Sequence, residues 1–501
     1  FPYVKPFRKL LIISTLAMLV YTVTLVAVPW IIAWAINDYV IPKNIQGLNY
    51  VFGLFLLLAL VNWASNYVQQ TTMQRVGQGV LWKLRGNLFS HVQKQSMRYF
   101  DSTEVGRLMS RVQGDVSQLQ EFSSLIVMSL GELLSLIGII VALFILNAKL
   151  AFITLLVLPL LILLMLIWQR YAKKAFIEVR IRIAIVNASF NENISGVRVV
   201  QSLNRQVKNL DIFSSKNSDH RKANFKAAKL AAGLIPGVDI LTAIAIASTI
   251  LMGSKMVTNH SLEVGTLVGF VMYIQRFFDP IRNLTQQYTQ LQRSMASGSR
   301  IFDLLDKEPD FEDSNRSIDI GDIKGDIEFK NVNFSYNSEN IVLKDVNLTI
   351  KSGETVAFVG PTGAGKTSLV SILSRFYHLP QSSGEILIDG VNINEIKIDS
   401  LSRQMSMVLQ EPFLFSGTIR ENIKYNNINA SDENMIAASK SVGAHDFIVN
   451  MDKGYDTLIL ERGSNVSLGQ RQLLSFARAI LSDPKILILD EATSSVDSYT
   501  E

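Results

Sequence analysis

Hydrophobic and polar positions divide the chain near residue 305. Upstream, six long apolar stretches cover residues 10–36, 50–64, 122–146, 150–167, 231–252 and 262–278. A bilayer core of about 30 Å is crossed by about 20 helical residues, so six membrane helices are expected. The second stretch is short and needs the semi-polar turns after Asn62 to complete it. Between stretches, residues 65–120 and 170–230 contain no proline and keep apolar positions at helical spacing, as in Leu81, Leu84, Leu88 and Val92. The membrane helices are therefore expected to continue beyond the bilayer. A helix over residues 50–99 would be about 75 Å long at 1.5 Å per residue. Breaks are expected at residues 101–106 and 191–196. Downstream of Gly325 the pattern changes to short strand-like runs, such as 327–334 and 355–359, alternating with helix-like segments. The fold class is thus multidomain: an all-α six-helix transmembrane domain with long helical extensions, then an α/β domain. The expected domains are 1–305 and 326–501, joined by a linker at 306–325. Residues 306–317 read DKEPDFEDSNRS, polar and aperiodic.

Charge placement orients the membrane half. The three loops on one side carry one basic residue each, Lys43, Lys149 and Lys255. On the other side, residues 81–111 hold Lys83, Arg85, Lys94, Arg98, Arg107 and Arg111, and residues 170–229 hold thirteen Lys and Arg. Basic loops stay cytoplasmic, so both termini and both helical extensions are expected there. The net charge of +5 is accounted for by topology, and no nucleic-acid partner is needed. The absence of Cys excludes a disulfide framework and a thiolate metal site. The first apolar run is too long for a cleavable signal. The sequence starts at Phe1 and ends at Glu501; both ends are read as cut. Two acids, Glu132 and Asp239, fall inside membrane stretches. Intramembrane acids are candidates for substrate or proton contact, with a helix-packing or cavity-lining role as the alternative.

The downstream half carries Gly360-Pro361-Thr362-Gly363-Ala364-Gly365-Lys366-Thr367-Ser368. It follows an apolar run at 356–359 and opens a helix-like segment, the context of a phosphate-binding loop. Glycines let backbone N–H groups converge on phosphate oxygens, and the helix N-terminus adds positive dipole. Lys366 would reach the outer phosphates and Thr367 would ligate Mg²⁺. Further on, apolar Ile486 to Leu489 precede Asp490 and Glu491. Two carboxylates at a strand end suit, in turn, a Mg²⁺ shell and the activation of water.

Residues 463–479 read GSNVSLGQRQLLSFARA. This segment resembles the signature motif of ATP-binding cassette transporters and precedes the acidic strand by one short helix. With six apolar stretches upstream, the whole chain resembles the half-size exporters of the multidrug and lipid type. The resemblance implies further roles. Tyr336 matches the aromatic that stacks on adenine, and Gln410 the glutamine that senses Mg²⁺ and the attacking water. Glu461 to Gly463 match a segment that touches the cytoplasmic helices, and Asp497 a loop that crosses to the partner cassette. Ser467, Gly469 and Gln470 would contact the ATP held by the opposite subunit, so a dimer is implied. The cofactors implied are ATP and Mg²⁺. Two departures stand out. Leu468 replaces the family's glycine, and the sequence ends before the family's switch histidine, His445 being the last His.

These features lead to an ATP-driven exporter or flippase of a hydrophobic or amphipathic substrate in the cell membrane. An ATP-gated channel or regulator on the same scaffold is the alternative. The membrane stretches argue against a soluble cassette ATPase, and the fusion of both parts in one chain argues against an importer. Trp30, Trp34, Phe270 and Tyr273 are available to line an apolar cavity or to face lipid. Because of Leu468, the partner is expected to be a different subunit, with a homodimer as the alternative.

Overall fold

The computed structural model describes residues 3–310, 317–337 and 340–490. It divides into two compact units, residues 1–89 with 109–304, and residues 90–108 with 305–501.

The first unit is built from long helices. Its apolar runs leave the backbone no way to satisfy its polar groups in a bilayer except within a helix. Helix α1 spans Arg8–Ala35 and passes through Pro29. It ends in a π turn over Ile36–Val40. Helix α2, Ile45–Gln93, has 49 residues, about 74 Å at helical rise. Short helices α3 (Met97–Ser102) and α4 (Val105–Met109) follow, and then α5 (Val116–Leu146). Asn147 accepts from the Leu150 amide and so caps α6 (Ala148–Leu155). Helix α7 (Val157–Ser195) breaks at Gly196, before α8 (Val197–Ser202). Helix α9 (Gln206–Thr258) has 53 residues and α10 (Val264–Leu305) has 42. The breaks thus fall between α2 and α4 and at Gly196, close to where polar residues and glycine interrupt the apolar period.

Five of the described helices are long and apolar enough to cross a membrane: Lys5–Val40, Ile45–Gln93, Val105–Leu146, Ala148–Ser195 and Gln206–Thr258. The sixth expected span lies in α10, which falls outside that set. Gln275, Arg276 and Asp279 follow its apolar start and lower its mean hydropathy. One core joins α5, α6, α7, α9 and α10 through Leu143, Leu150, Leu161, Ala245, Phe270 and Tyr273, among others. Polar ties fix the bundle further. Trp168 Nε1 donates to the Leu230 carbonyl at 2.8 Å. Arg300 Nε donates to Asp115 Oδ2 at 2.9 Å and Ser297 Oγ to Asp115 Oδ1 at 3.0 Å.

The second unit holds a four-stranded antiparallel sheet in the order β2-β1-β3-β4. The strands are β1 (Ile327–Phe334), β2 (Leu343–Ile350), β3 (Glu385–Ile388) and β4 (Val391–Asn392). Two further strands, β5 (Met405–Val408) and β8 (Ile486–Leu489), pair in parallel with Val408 opposite Leu489. Strands β6 (Gly417–Thr418) and β7 (Leu458–Ile459) make a short antiparallel pair. Helices α11 (Lys366–Leu373) and α12 (Ile398–Gln404) pack with these sheets. Leu369, Ile372 and Leu373 of α11 share a core with Met405, Ile486 and Ile488. A second core joins α13 (Ile419–Ile423), α14 (Asp432–Ser441), α15 (His445–Val449) and α16 (Leu468–Leu481).

Two segments differ from their sequence reading. Residues 355–359, expected as the strand before the phosphate loop, have no ladder partner among the described residues. Val359 is accordingly 93% exposed. The apolar run is present, but strand identity needs a neighbour to exchange hydrogen bonds with. Residues 317–325, read as linker, pack on the cassette. Ile323 is buried in its core, and Ile318 exchanges backbone hydrogen bonds with Glu395 and Lys397.

Candidate functional site

Helix α11 begins directly behind the glycine-rich loop. Its N-cap residue is Gly365, at φ 90°, with no side chain capping the first turn. A Cβ at this position would be strained by that backbone angle and would meet Leu343 Cδ2 at 2.7 Å, so glycine is required. Uncapped amides at a helix start favour an anion. Lys366 Nζ donates to the Gly360 carbonyl at 2.7 Å and the Pro361 carbonyl at 3.4 Å. The cation therefore curls back over its own loop. Thr367 is exposed, and its carbonyl accepts from Ser371 Oγ at 2.7 Å.

The parallel register of β5 and β8 brings two predicted residues to one end of the pair. The Asp490 amide donates to the Val408 carbonyl at 3.0 Å. Gln410 stands two residues beyond β5. Carboxyl ends of parallel strands are where α/β sheets bind ligands, and α11 packs against this same pair. Glu491 and Asp497 lie outside the described residues.

Tyr336 leaves the end of β1 in an aromatic cluster. Its ring meets Phe334 and Tyr377, each with centroids 5.0 Å away and edge-on. Its hydroxyl donates to Ser368 Oγ at 2.9 Å, which ties the aromatic to the first turn of α11. The Tyr377 hydroxyl donates to Asp101 Oδ2 at 2.6 Å, on α3 in the same compact unit. Burial, then this bond to Asp101, push the Tyr377 phenol above its ordinary range. The neighbouring His378 imidazole is held below its ordinary value by burial first, then by the charges of Arg375 and Arg98. Residues 90–108 are fixed to the cassette side at further points. Lys307 Nζ sits 4.5 Å from the Tyr99 ring centroid, and Ser96 Oγ donates to Asp310 Oδ2 at 2.6 Å.

The signature segment starts α16. Ser467 is the N-cap, and a reciprocal capping box is formed. The Gln470 amide donates to Ser467 Oγ at 3.2 Å, and the Ser467 amide donates to Gln470 Oε1 at 2.9 Å. Leu468 is 44% exposed. Downstream, Arg478 Nε donates to the Asn422 carbonyl at 2.8 Å and Nη1 to the Phe413 carbonyl at 3.1 Å. This fixes α16 to the segment just after Gln410. Burial holds the Arg478 guanidinium below its ordinary range. No motif in the sequence marks Tyr377, Asp101 or Arg478 as a contact residue. An aromatic or arginine in such a run carries no local signal, because each acts through a partner far along the chain.

In the first unit, α1, α2, α5 and α10 line an open cavity of about 770 Å³. Glu132 lines it and accepts from Asn283 Nδ2 at 2.8 Å. Arg276, absent from the sequence reading, also lines it and donates to the Leu25 carbonyl at 2.7 Å. Met18, Met73, Met128 and Tyr273 supply apolar wall. Asp239 is elsewhere, exposed and 4.0 Å from Arg282. Phe270 is fully buried, whereas Trp30 and Trp34 are partly exposed.

Residues 11–281 match the model of the ABC transporter transmembrane region, and residues 343–494 match the model described as ABC transporter. The chain belongs to the ATP-binding cassette transporters. It is 38% identical, over all of its length and 83% of the relative's, to an uncharacterized ABC transporter ATP-binding protein, YknV, of Bacillus subtilis. It is 33% identical to an ATP-dependent lipid A-core flippase of Syntrophus aciditrophicus, covering 99% of this chain and 82% of the relative. It is 34% identical to a putative multidrug export ATP-binding/permease protein, YgaD, of Bacillus subtilis, covering 100% and 87%. This ABC transporter is thus a half-size exporter: a multi-pass membrane domain fused to a cassette that binds ATP and couples its hydrolysis to transport.

Proposed function

We propose that this half-transporter moves an amphipathic substrate, lipid-like or drug-like, out of or across the cell membrane as part of a dimer, with its cassette and both termini cytoplasmic. The observation that carries the reading is the β5–β8 register. It sets Gln410 and Asp490 at one end of a parallel pair on which α11 packs, behind the phosphate loop. In this reading Gly360 to Ser368 cradle the phosphates and Lys366 swings from its own loop carbonyls to the outer ones. Tyr336 stacks on adenine. Thr367, Gln410 and Asp490 form an oxygen donor set suited to Mg²⁺, which when bound offsets phosphate charge. Glu491 orients and deprotonates the attacking water. Ser467, Gly469 and Gln470 address the partner's nucleotide.

The cavity supports an amphipathic substrate. Methionine and tyrosine walls suit an apolar body, and Glu132, with Asn283, suits a polar group at membrane depth. Its volume falls in the range of small-molecule sites. Of the three named relatives, one is named as a lipid A-core flippase and one as a putative multidrug export protein, and either kind of substrate has this amphipathic character.

The test is reconstitution of the full-length dimer in proteoliposomes. ATP-dependent movement of a fluorescent amphiphile, lost in Lys366→Ala, is the expected result. ATP hydrolysis with no amphiphile movement, accompanied by ATP-gated ionic current, would replace this reading with a channel.

A further inference from the structure

Pro29 interrupts the hydrogen-bond ladder of α1. It has no N–H, so the carbonyl four residues earlier, that of Leu25, loses its helical donor. Arg276 of α10 supplies one instead, through Nη1 at 2.7 Å. Beside it the Tyr273 hydroxyl donates to the Val26 carbonyl at 2.7 Å. The guanidinium is thus held at the cavity wall by backbone rather than by an acid. The bond to Leu25 uses one of its five N–H donors. Among the described residues no carboxylate pairs with Arg276; the ion pair on this part of α10 is that of Arg282 with Asp239. Two carboxylates line the same cavity, Glu132 and Asp279. Glu132 accepts from Asn283, which stands seven residues, about two turns, beyond Arg276 on α10. Asp279 lies between them and is exposed. Ser135, one turn from Glu132 on α5, also lines the cavity. It is 4% exposed, and its Oγ has no hydrogen-bond partner. A helical serine can bond back to a carbonyl of the preceding turn; this one does not, and an unmatched buried hydroxyl is costly.

We propose that this cavity selects an amphiphile whose head group is zwitterionic, of the phosphate–ammonium kind: Arg276 takes the anion, Glu132 takes the cation, and Ser135 bonds the polar stretch between them. The proposal rests on the reading of the cavity as the substrate site. Opposite charges that met each other would need no ligand. Held about two turns apart, each is matched only when a ligand carrying both signs enters. A purely anionic head group suits Arg276 but brings like charge against Glu132 and Asp279. A purely cationic one suits the carboxylates but brings like charge against Arg276. Either mismatch disfavours binding more strongly away from bulk water, and such built-in repulsion is how a site rejects the wrong ligand. The chemistry of each group fits its assignment. The planar guanidinium fork matches phosphate oxygens, and a carboxylate offers acceptors to an ammonium, which has only donors.

The experiment uses the full-length dimer in proteoliposomes and three fluorescent lipids with the same tails. Their head groups are phosphocholine, phosphoglycerol and trimethylammonium. The readout is the apparent KM for ATP-dependent movement of each. The phosphocholine lipid is expected to have a KM about tenfold or more below the other two, the loss of one charged contact. Arg276→Gln should remove the discrimination against the trimethylammonium lipid, and Arg276→Lys, which keeps the charge, should retain it. Glu132→Gln should remove the discrimination against the phosphoglycerol lipid. Ser135→Ala should raise the KM for phosphocholine and leave the order of the three unchanged. Equal KM values for all three head groups in the unsubstituted protein overturn the proposal and leave the amphiphile reading standing. So does an order of preference that survives in both Arg276→Gln and Glu132→Gln. Movement of none of the three removes the premise instead, and separates a misassigned cavity from a misread head group.

Discussion

Lys366 and Glu491 are asked to do different things to the same triphosphate, and substitution should separate them. Lys366 donates to two carbonyls of its own loop, so the cation is held close to the loop. A hydrogen bond to a charged group contributes about 1.5–3 kcal/mol, so Lys366→Ala should weaken ATP binding about ten- to a hundredfold, measured by equilibrium titration. Glu491→Gln should leave that titration unchanged and lower steady-state turnover about 10²- to 10⁴-fold, the usual contribution of a general base. Near-normal hydrolysis by Glu491→Gln would remove it from that role. At this scale the sequence was legible where chemistry is contiguous. The phosphate loop and the acids after Leu489 sit in short runs whose residue types state their task. The Tyr377 contact with Asp101 joins positions 276 apart, and no local pattern reports it.

Elements were legible where one period persists. Helix α2 keeps apolar spacing without proline and emerges as a single helix of 49 residues, whereas α9, of 53 residues, continues through Pro236. The run at 355–359 is equally apolar, but a strand is defined by its neighbours, and period alone does not supply them. Residues 90–108 carry no local mark of partners some 200 positions further on, so their grouping with the cassette was invisible until tertiary contacts were known. The start of α16 combines local and functional demands. Ser467 and Gln470 satisfy each other's amides, and loss of an N-cap costs about 1 kcal/mol. Ser467→Ala and Gln470→Ala should each lower the thermal midpoint of the purified protein. Because the two bonds form one reciprocal motif, the double variant should lose less than the sum. Strict additivity would mean that the box is not formed in solution.

At the scale of the whole molecule, the capping box bears on the choice of partner. The Gln470 amide that would meet a partner's γ-phosphate is already bonded to Ser467 Oγ, so phosphate must compete with a good intrahelical acceptor. Glycine before Gly469 would let the nucleotide approach at no steric cost. Leu468 instead places a large, 44% exposed side chain at that edge. The contact this subunit offers across the interface is therefore weakened, whereas its own Lys366, Asp490 and Glu491 are all present. A subunit strong in one half of the composite site and weak in the other gains most from a partner with the opposite balance. We accordingly expect a heterodimer in which this chain supplies the hydrolytic residues opposite a different subunit's signature helix. Expressed alone, the full-length chain should dimerise poorly and hydrolyse ATP slowly, and Leu468→Gly should raise its turnover. Size-exclusion chromatography with light scattering, alongside a steady-state ATPase assay, makes the comparison. A stable homodimer with substrate-stimulated turnover that Leu468→Gly leaves unchanged would establish that this subunit's own signature suffices.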